Sequence, residues 1–305
     1  MDVLGDVLDL MRVRGSLLGL VRARESWGLK IPAAHDAVFH AVLDGTVYLQ
    51  VGDGEPRRLG AGDVALLPTG RAHVVTIDPR APVQLLDHQM KARGRDTHCH
   101  ITIDGAGAES RMLCATYEYD RQVQHPLLAA LPEVMILGAG TAAATVLALL
   151  QSELDRERPA QTVAVNRLID LLFVEVIRTW TERGERGSAW WRGFRDPVVG
   201  AALARLHERP HEPWTLDGLG REVNASRATL TRRFGATIGM PPLAYLAQWR
   251  LELAARDLRD TDTPVGLIAH RVGYASEFAF SRAFARARGV APGKYRSQKR
   301  LELAG

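Results

Sequence analysis

Two segments near the C-terminal end of the chain share a spacing of residues that could contact the bases of duplex DNA. A shift of fifty residues places Ser226 on Ser276 and Arg232 on Arg282, within a common pattern Ser-x-x-x-apolar-x-Arg-x-Phe. A serine in this position can cap a helix, and an outward arginine can form paired hydrogen bonds with guanine. Because the repeat has only two copies, it indicates a duplicated module rather than a solenoid.

A second set of reactive side chains lies in the N-terminal half, where His40, His73, Cys99 and Cys114 occur in regions with a strand pattern. Imidazole and thiolate groups bind transition metals, and a stabilised thiolate can oxidise. The cysteines flank a Gly-rich turn at 105–107, so a hairpin there would bring them together. Two hypotheses follow: a ligand or metal site of His40, His73 and Cys99, and a redox pair of Cys99 with Cys114. The alternative is that they are core residues, since cysteine is often buried.

An apolar stripe at helical spacing precedes each repeated segment, which predicts a helix, a tight turn and a second helix. The stripes are Leu216, Leu219 and Val223 in the first copy and Val265, Ile268 and Val272 in the second. In this helix-turn-helix layout the second helix can enter the major groove. The side chains expected on its open face are Arg227, Thr231, Arg232 and Arg233 in the first copy and Glu277, Ser281, Arg282 and Arg286 in the second. A solvated surface is the alternative for any single arginine, but two matched helices favour DNA binding.

Residues 214–296 as a whole resemble the DNA-binding domain of AraC/XylS-type transcriptional regulators, most specifically in the segment IAHRVGYASEFAFSRAFARARGVAPGKYR. The resemblance implies two helix-turn-helix units joined by one long helix, here residues 241–258. Such a helix is roughly 27 Å long, which suits two units lying about one DNA turn, roughly 34 Å, apart. The resemblance also implies base contacts from Ala228 and Thr231, although the small side chain of Ala228 would make only an apolar contact.

The N-terminal part alternates between strands and turns, as in VFHAVLDGTVYLQV and DVALLPTGRAHVVTI, a pattern typical of a sandwich or barrel. The spacing Gly62-(x5)-Pro68-x-Gly70-(x2)-His73 resembles the second motif of cupin barrels, and His40 takes a histidine position of the first motif. The His-x-His pair and the glutamate that complete a metal-binding cupin are missing. The resemblance implies a sensor barrel that could hold a transition metal.

Charge is divided unevenly along the chain of 305 residues. Residues 196–300 carry 17 Lys and Arg against 10 Asp and Glu, a net charge of +7, which leaves −3 for the rest of a chain whose total is +4. A positive field on the repeated part attracts DNA phosphates. The opening residues lack the apolar core of a secretory signal, and no run reaches the roughly 18 apolar residues of a membrane span. We therefore expect a cytoplasmic protein.

These observations predict an α+β protein with an N-terminal cupin-like β-barrel, following helices, and an all-α domain of two helix-turn-helix units joined by a long helix. The expected domains are a sensor at 1–120, a helical dimerisation region at 121–183, a linker at 184–195 and the DNA-binding domain at 196–300. An amphipathic helix is expected over residues 1–22, and helices over 127–181.

The predicted function is sequence-specific transcriptional regulation in response to a small-molecule, metal or redox signal at the barrel, without enzymatic activity. The expected partners are double-stranded DNA, an effector, a second copy of the chain and RNA polymerase. One alternative is a metal-dependent cupin enzyme fused to a DNA-binding domain. Another is a purely structural barrel whose signal is a protein.

Overall fold

The structure is a computed structural model that describes residues 2–24, 27–86, 100–103, 105–119, 125, 131–156, 158–183, 193 and 195–304. The chain forms two compact units. The N-terminal unit consists of Arg12–Asp120 and Leu131–Arg186, and the C-terminal unit consists of Met1–Met11, Arg121–Ala130 and Gly187–Gly305. The first eleven residues therefore belong with the helical unit and not with the barrel that follows them in sequence.

Two β-sheets form the N-terminal unit. The strands are β1 (Arg14–Ala23), β2 (Gly28–Ile31), β3 (Ala37–Asp44), β4 (Thr46–Val51), β5 (Arg57–Gly60), β6 (Val64–Leu67), β7 (His73–Thr76), β8 (Val83–Leu85), β9 (His100–Ile103), β10 (Ser110–Glu118) and β11 (Met135–Leu137). The larger sheet has the strand order β11-β6-β3-β10-β1-β9 and the smaller has the order β5-β4-β7-β2-β8.

Alternation along the central strands explains how the larger sheet is covered on both faces. On β3, Val38 and Val42 join one buried apolar cluster with residues of the smaller sheet such as Leu49 and Val75. The intervening Phe39 points to the opposite face. There it packs edge-on against Tyr117 of β10, with ring centroids 6.0 Å apart.

Two helices cover that opposite face of the larger sheet: α2 (Ala142–Leu154) and α3 (Gln161–Arg183). The ring of Tyr117 lies 4.9 Å from that of Phe173 on α3, and its hydroxyl donates to the carbonyl of Ile169 at 2.9 Å. Within the described part of the chain, no helix combines the length and apolarity needed to cross a membrane.

Three expectations about the N-terminal half are wrong. The helix predicted over residues 1–22 ends at Met11, because residues 14–23 bury alternate side chains and form the strand β1, next to the edge of the larger sheet. The helical region predicted at 127–181 contains the short strand β11, which pairs with β6. The hairpin predicted around residue 106 does not form: β1 lies between β9 and β10, parallel to the first and antiparallel to the second.

The C-terminal unit is helical. Besides α1 (Val3–Met11) it contains α4 (Pro197–Glu208), α5 (Leu216–Glu222), α6 (Arg227–Ile238), α7 (Pro242–Asp260), α8 (Val265–Arg271), α9 (Glu277–Arg288) and α10 (Pro292–Ala304). Asp196 caps α4 by accepting from the amides of Val198 and Val199, with proline at the first helical position as the sequence predicts. The long helix α7 begins one residue after the predicted start and ends two residues after the predicted end.

Helix α1 packs on this unit through a buried polar chain. Asp6 on α1 lies 3.0 Å from Nδ1 of His207, and Nε2 of the same ring lies 2.7 Å from the hydroxyl of Tyr245. That hydroxyl also lies 3.0 Å from Nε2 of His125. Apolar residues of α1, such as Val7, are fully buried beside it. The N-terminal helix is thus part of the core of the helical unit.

Candidate DNA-binding surface and sensor cluster

Both repeated segments form a helix-turn-helix unit with a capped second helix. The hydroxyl of Ser226 accepts from the amide of Thr229, and that of Ser276 accepts from the amide of Ala279, each at 3.2 Å. A capping serine satisfies one of the amides that the first turn of a helix leaves without a partner. The predicted N-caps of α6 and α9 are confirmed, so the same residue type fixes where each candidate recognition helix begins.

The two turns also share their backbone geometry. The amide of Ala225 donates to the carbonyl of Gly220 in the first unit, and the amide of Tyr274 donates to that of Ala269 in the second, both at 2.9 Å. Each turn needs one residue with positive φ, which is Asn224 at 52° and Gly273 at 89°. Asparagine and glycine are the residues that tolerate this region best. The two turns therefore share one hydrogen bond and one residue with positive φ, both of which depend on local sequence.

The outward side chains of α6 and α9 are those that the repeat predicts. Arg227, Ala228, Arg232, Glu277 and Arg282 are exposed, whereas Thr231 and Ser281 are half-buried beside them. The opposite faces bury Leu230 and Phe234 on α6, and Phe280 and Phe284 on α9, completely. Neither Arg232 nor Arg282 forms an ion pair with any residue that the structure describes. Each unit thus presents an arginine whose donors can reach a ligand outside the protein.

Two of the predicted outward residues are engaged within the unit. Arg233 lies 3.4 Å from the carboxylate of Asp196, the cap of α4, so it joins α6 to the preceding helix. The carboxylate of Glu277 lies over the first turn of α8, since a β-carbon placed on Gly266 would be 2.7 Å from its Oε2 atom. These contacts favour a positioning role for Arg233 and place Glu277 at the edge of the surface.

A buried ion pair connects the long helix α7 with α9. Nη2 of Arg288 lies 2.6 Å from Oε1 of Glu252, and the two side chains are only 6% and 3% exposed. Burying two charges is costly unless they face each other closely. The pair therefore ties the C-terminal end of α9 to α7. The pair cannot be predicted from the sequence, because a single glutamate and a single arginine 36 positions apart carry no local pattern.

In the N-terminal unit, His40 and His73 lie together and are joined by Cys114. Nε2 of His40 is 2.8 Å from Nε2 of His73, and Nδ1 of His40 is 3.3 Å from the sulfur of Cys114. His40 and Cys114 are register partners on β3 and β10, whereas His73 belongs to β7 in the other sheet. All three residues are buried, at 0%, 2% and 8% exposure. We call His40, His73 and Cys114 the His-His-Cys row; it spans the two sheets.

The direction of each hydrogen bond in the row follows from one fixed acceptor. Nδ1 of His73 lies 2.6 Å from the carbonyl of Arg71, so this nitrogen carries the proton. Burial lowers the pKa of His73, although the bond to Arg71 partly opposes this. Burial lowers the pKa of His40 still more strongly, and His73 adds to the effect. Both rings are therefore neutral, which makes Nε2 of His40 the donor to His73 and the thiol of Cys114 the donor to Nδ1 of His40.

The row does not fit a metal ion as it stands. Two imidazole nitrogens bound to one tetrahedral zinc are about 3.3 Å apart, wider than the 2.8 Å hydrogen bond between His40 and His73. Cys114 faces the other nitrogen of His40, so the donors do not converge on one point. In the described ranges, no group of three or more histidine, cysteine or acidic residues is arranged to hold a metal. Cys99, the third predicted ligand and the predicted redox partner of Cys114, lies outside these ranges.

The neutral histidines predict acid sensitivity of the N-terminal unit. An unfolded histidine takes up a proton below pH 6.5, whereas His40 and His73 resist protonation when folded, so stability is lost as the pH falls below 6.5. The free energy of unfolding should fall by up to about 1.4 kcal/mol per pH unit for each such residue. Burial also lowers the pKa of His125, in the C-terminal unit, to about 3. The stability of that unit should therefore also fall as the pH decreases below 6.5.

Urea unfolding between pH 7.5 and 5 measures this effect. His40→Gln should reduce the slope of stability against pH, because one buried neutral histidine is removed. The matched control His35→Gln makes the same substitution at an exposed histidine, and it should reduce the slope less than His40→Gln does. An equal slope in wild type and His40→Gln would contradict the neutral row.

Comparisons with known proteins support the predicted fold of both parts of the chain. Residues 2–182 match a family model described as "Cupin", and residues 219–298 match one described as "Helix-turn-helix domain". A putative AraC-like transcription regulator of Streptomyces lividans is 38% identical over 97% of this chain and 98% of its own length. The HTH-type transcriptional regulator AlkR of Acinetobacter baylyi is 29% identical, over 98% of this chain and 100% of its own.

A solved structure resembles the C-terminal part. It is the DNA-binding domain of AdpA in complex with a target DNA, and it is 33% identical over 35% of this chain and 96% of its own length, with a TM-score of 0.34.

Proposed function

From the premise that the chain belongs to the AraC-like transcription regulators, as its sequence predicts, we propose that α6 and α9 read the bases of its DNA target. The residues proposed to contact DNA are Arg227, Ala228, Thr231 and Arg232 on α6 and Glu277, Ser281 and Arg282 on α9. The observation that carries the proposal is the matched geometry of the two units: the same serine cap, the same turn bond and the same outward arginine. We propose a DNA-binding domain at 196–300, a linker at 184–195 and a sensor within the predicted range 1–120, of which residues 1–11 group with the helical unit and not with the barrel.

The His-His-Cys row is the proposed point at which the signal acts on the barrel. Its members are buried, so a change there alters the contact between the two sheets and not only a surface charge. The hydrogen bonds in the row are coupled, because the thiol of Cys114 donates to His40 and the ring of His40 donates to His73. A ligand, soft metal or oxidant that engages the thiol or an imidazole must therefore break at least one of these bonds. Cys99 remains a proposed additional ligand or redox partner.

Two substitutions at Cys114 separate these chemistries. Operator binding by the full chain is measured with hydrogen peroxide, Zn²⁺ and a panel of small apolar compounds. We expect one of these to change the affinity within the 5- to 150-fold range usual for allosteric coupling. Cys114→Ser keeps a donor to His40 but removes thiol chemistry, whereas Cys114→Ala removes both. A thiol signal is lost in both variants, and a signal that needs only the hydrogen bond is lost in Cys114→Ala alone. A response that survives both Cys114→Ala and His40→Gln contradicts this role.

A second copy of the chain is the proposed partner of the helical region at 121–183. The outward stripe of α3 contains Val163, Leu171 and Val174, interspersed with Arg167 and Arg178. Val163 and Leu171 are 61% and 42% exposed, and Leu149 on α2 is 56% exposed. A helix seam with spacings of three and four residues is suited to pairing with another helix. Light scattering at micromolar concentration should give twice the mass of 33.5 kDa, and a monomer mass would contradict the proposal.

The remaining partners follow from regulation of transcription. We propose that the protein acts in the cytoplasm and contacts RNA polymerase at the promoters to which it binds. Transcription in vitro from a template with the operator, using purified polymerase, tests this contact. A change in transcript yield that requires the operator supports it, and an unchanged yield at saturating protein contradicts it.

A further inference from the structure

Phe278 is an apolar side chain in an unusual position for a soluble helix. It lies in the first turn of α9, two residues after the cap Ser276, and is 71% exposed. The same helix buries Phe280 and Phe284 completely. An exposed phenylalanine does not contribute the favourable free energy that burial of its apolar surface would give. The packing of the helix onto its own unit therefore accounts for two phenylalanines and not for the third.

Arg282 links this ring to the surface proposed to meet DNA. Its guanidinium carbon lies 5.6 Å from the centroid of the Phe278 ring, one helical turn away. The contact holds the arginine and the ring side by side on one face of α9. A ligand that accepts hydrogen bonds from Arg282 therefore also contacts the ring of Phe278.

The other recognition helix carries the same combination in a smaller form. The fifty-residue shift places Ala228 on Phe278 and Arg232 on Arg282, and both residues of α6 are exposed. An apolar residue followed four positions later by an arginine is thus common to the two helices. In the major groove, arginine pairs with guanine, and apolar side chains contact the 5-methyl group of thymine. The combination has the chemistry to read a thymine near a guanine.

We propose that Phe278 reads a thymine by contacting its 5-methyl group in the major groove, beside the guanine that Arg282 contacts. This inference depends on the proposed reading of DNA by α9. Four residues advance a helix by about 6 Å, and base pairs lie about 3.4 Å apart. The thymine is therefore within about two base pairs of the guanine. Phe278 is a specificity-determining residue, and the larger ring makes the second unit more dependent on this methyl group than the first.

Replacing thymine by deoxyuridine tests the contact, because it removes the methyl group and leaves base pairing intact. Duplexes are first selected from a random library with the purified full chain, and each thymine of the enriched site is then replaced in turn. One replacement should weaken binding by wild type about fourfold, as expected for one buried carbon. Phe278→Ala should weaken binding to the unmodified site to a similar or greater extent and should no longer respond to that replacement.

Two further variants make the outcome decisive. Leu267→Ala removes another exposed apolar side chain, 59% exposed on α8, and should keep the full response to deoxyuridine. Thermal unfolding should show that Phe278→Ala remains folded, since the side chain is on the surface. If Arg282→Ala loses preference at the guanine while Phe278→Ala still responds to every methyl group, this inference is overturned and the reading by α9 stands. If neither variant alters preference, the reading by α9 itself fails.

Discussion

Replacing Glu252 by alanine should lower the free energy of unfolding of the C-terminal unit by about 3–5 kcal/mol. Its partner Arg288 is only 6% exposed, and it would keep a positive charge that water cannot reach. A buried charge that loses a counter-ion at 2.6 Å loses a large part of the compensation for its lost solvation. This loss of stability is larger than for most surface substitutions, because the substitution removes the ion pair that joins α7 to α9.

Urea unfolding followed by tryptophan fluorescence measures this loss, since Trp249 on α7 is buried at 3% exposure. The matched control is Glu208→Ala, which breaks the ion pair with Arg205, whose members are 49% and 44% exposed. Exposed pairs contribute at most about 1 kcal/mol, so this control should have little effect.

A double substitution separates the burial of charge from the loss of packing. Replacing both partners by apolar residues of similar size, as in Glu252→Leu with Arg288→Met, should restore most of the stability, because no charge then remains buried. A single variant that loses less than about 1 kcal/mol would mean that water or another group reaches Arg288. A double variant as unstable as the single one would show that shape and not charge is what the pair provides.

The helix-turn-helix units could be predicted from the sequence because short-range chemistry determines them. Each unit is determined by a serine cap, an apolar stripe and a turn residue with positive φ, all within a short segment. Each of these features requires a residue type or a spacing that can be recognised in the sequence. The repeat then made the prediction twice, so Ser226 and Ser276 were confirmed together. The long helix between the units is an expectation from the resemblance to AraC/XylS-type regulators, and its buried residues Tyr245, Leu246 and Trp249 follow a helical spacing.

The barrel shows where such reasoning fails. The sequence predicts many of the strands, but β1 and β11 lie largely in stretches predicted to be helical, and β1 separates β9 from β10. Adjacent strands in sequence usually pair, and the hairpin expectation followed that tendency. The same expectation brings Cys99 to Cys114. Cys99 lies outside the described residues, and Cys114 lies opposite His40 on β3. Register between distant strands depends on burial over the whole sheet, which the local pattern does not contain.

Part of the His-His-Cys row could still have been found. The cupin resemblance singled out His40 and His73, and the structure brings them within 2.8 Å. The sequence marks Cys114 as a candidate redox thiol but not as a partner of these histidines. Its alternation with Met112 on one strand face was the available signal, because both residues lie in the same buried cluster. Phe278 had no such signal, since a lone aromatic in a helix is most often a core residue.

Arg232→Ala and Arg282→Ala should each weaken binding to the selected operator by about 1–3 kcal/mol, or roughly 5- to 150-fold. Binding to random duplex should change much less. An arginine that pairs with guanine contributes discrimination among bases, whereas one that meets only phosphate contributes to every duplex alike. Titration of operator and random competitor at several salt concentrations measures both effects at once.

Arginine-to-lysine variants distinguish the two kinds of contact. Lysine keeps the charge but lacks the planar pair of donors that matches guanine. Arg282→Lys should therefore lose much of the preference for the operator while keeping the salt dependence of binding. Arg256→Ala is the matched control for loss of charge, because Arg256 is 43% exposed on α7 and lies next to Asp257. It should lower affinity for both duplexes to the same small extent.

The double variant shows whether both helices read the same operator. Arg232 and Arg282 lie on different units and share no partner among the described residues, so their effects on binding should add. A combined loss of about 2–6 kcal/mol would bring specific binding close to the non-specific level. A double variant no weaker than Arg282→Ala alone would mean that only α9 reads bases and that α6 merely follows the backbone. Equal losses on operator and random duplex in every variant would reduce both arginines to phosphate contacts, and the site of base recognition would then lie elsewhere on the two helices.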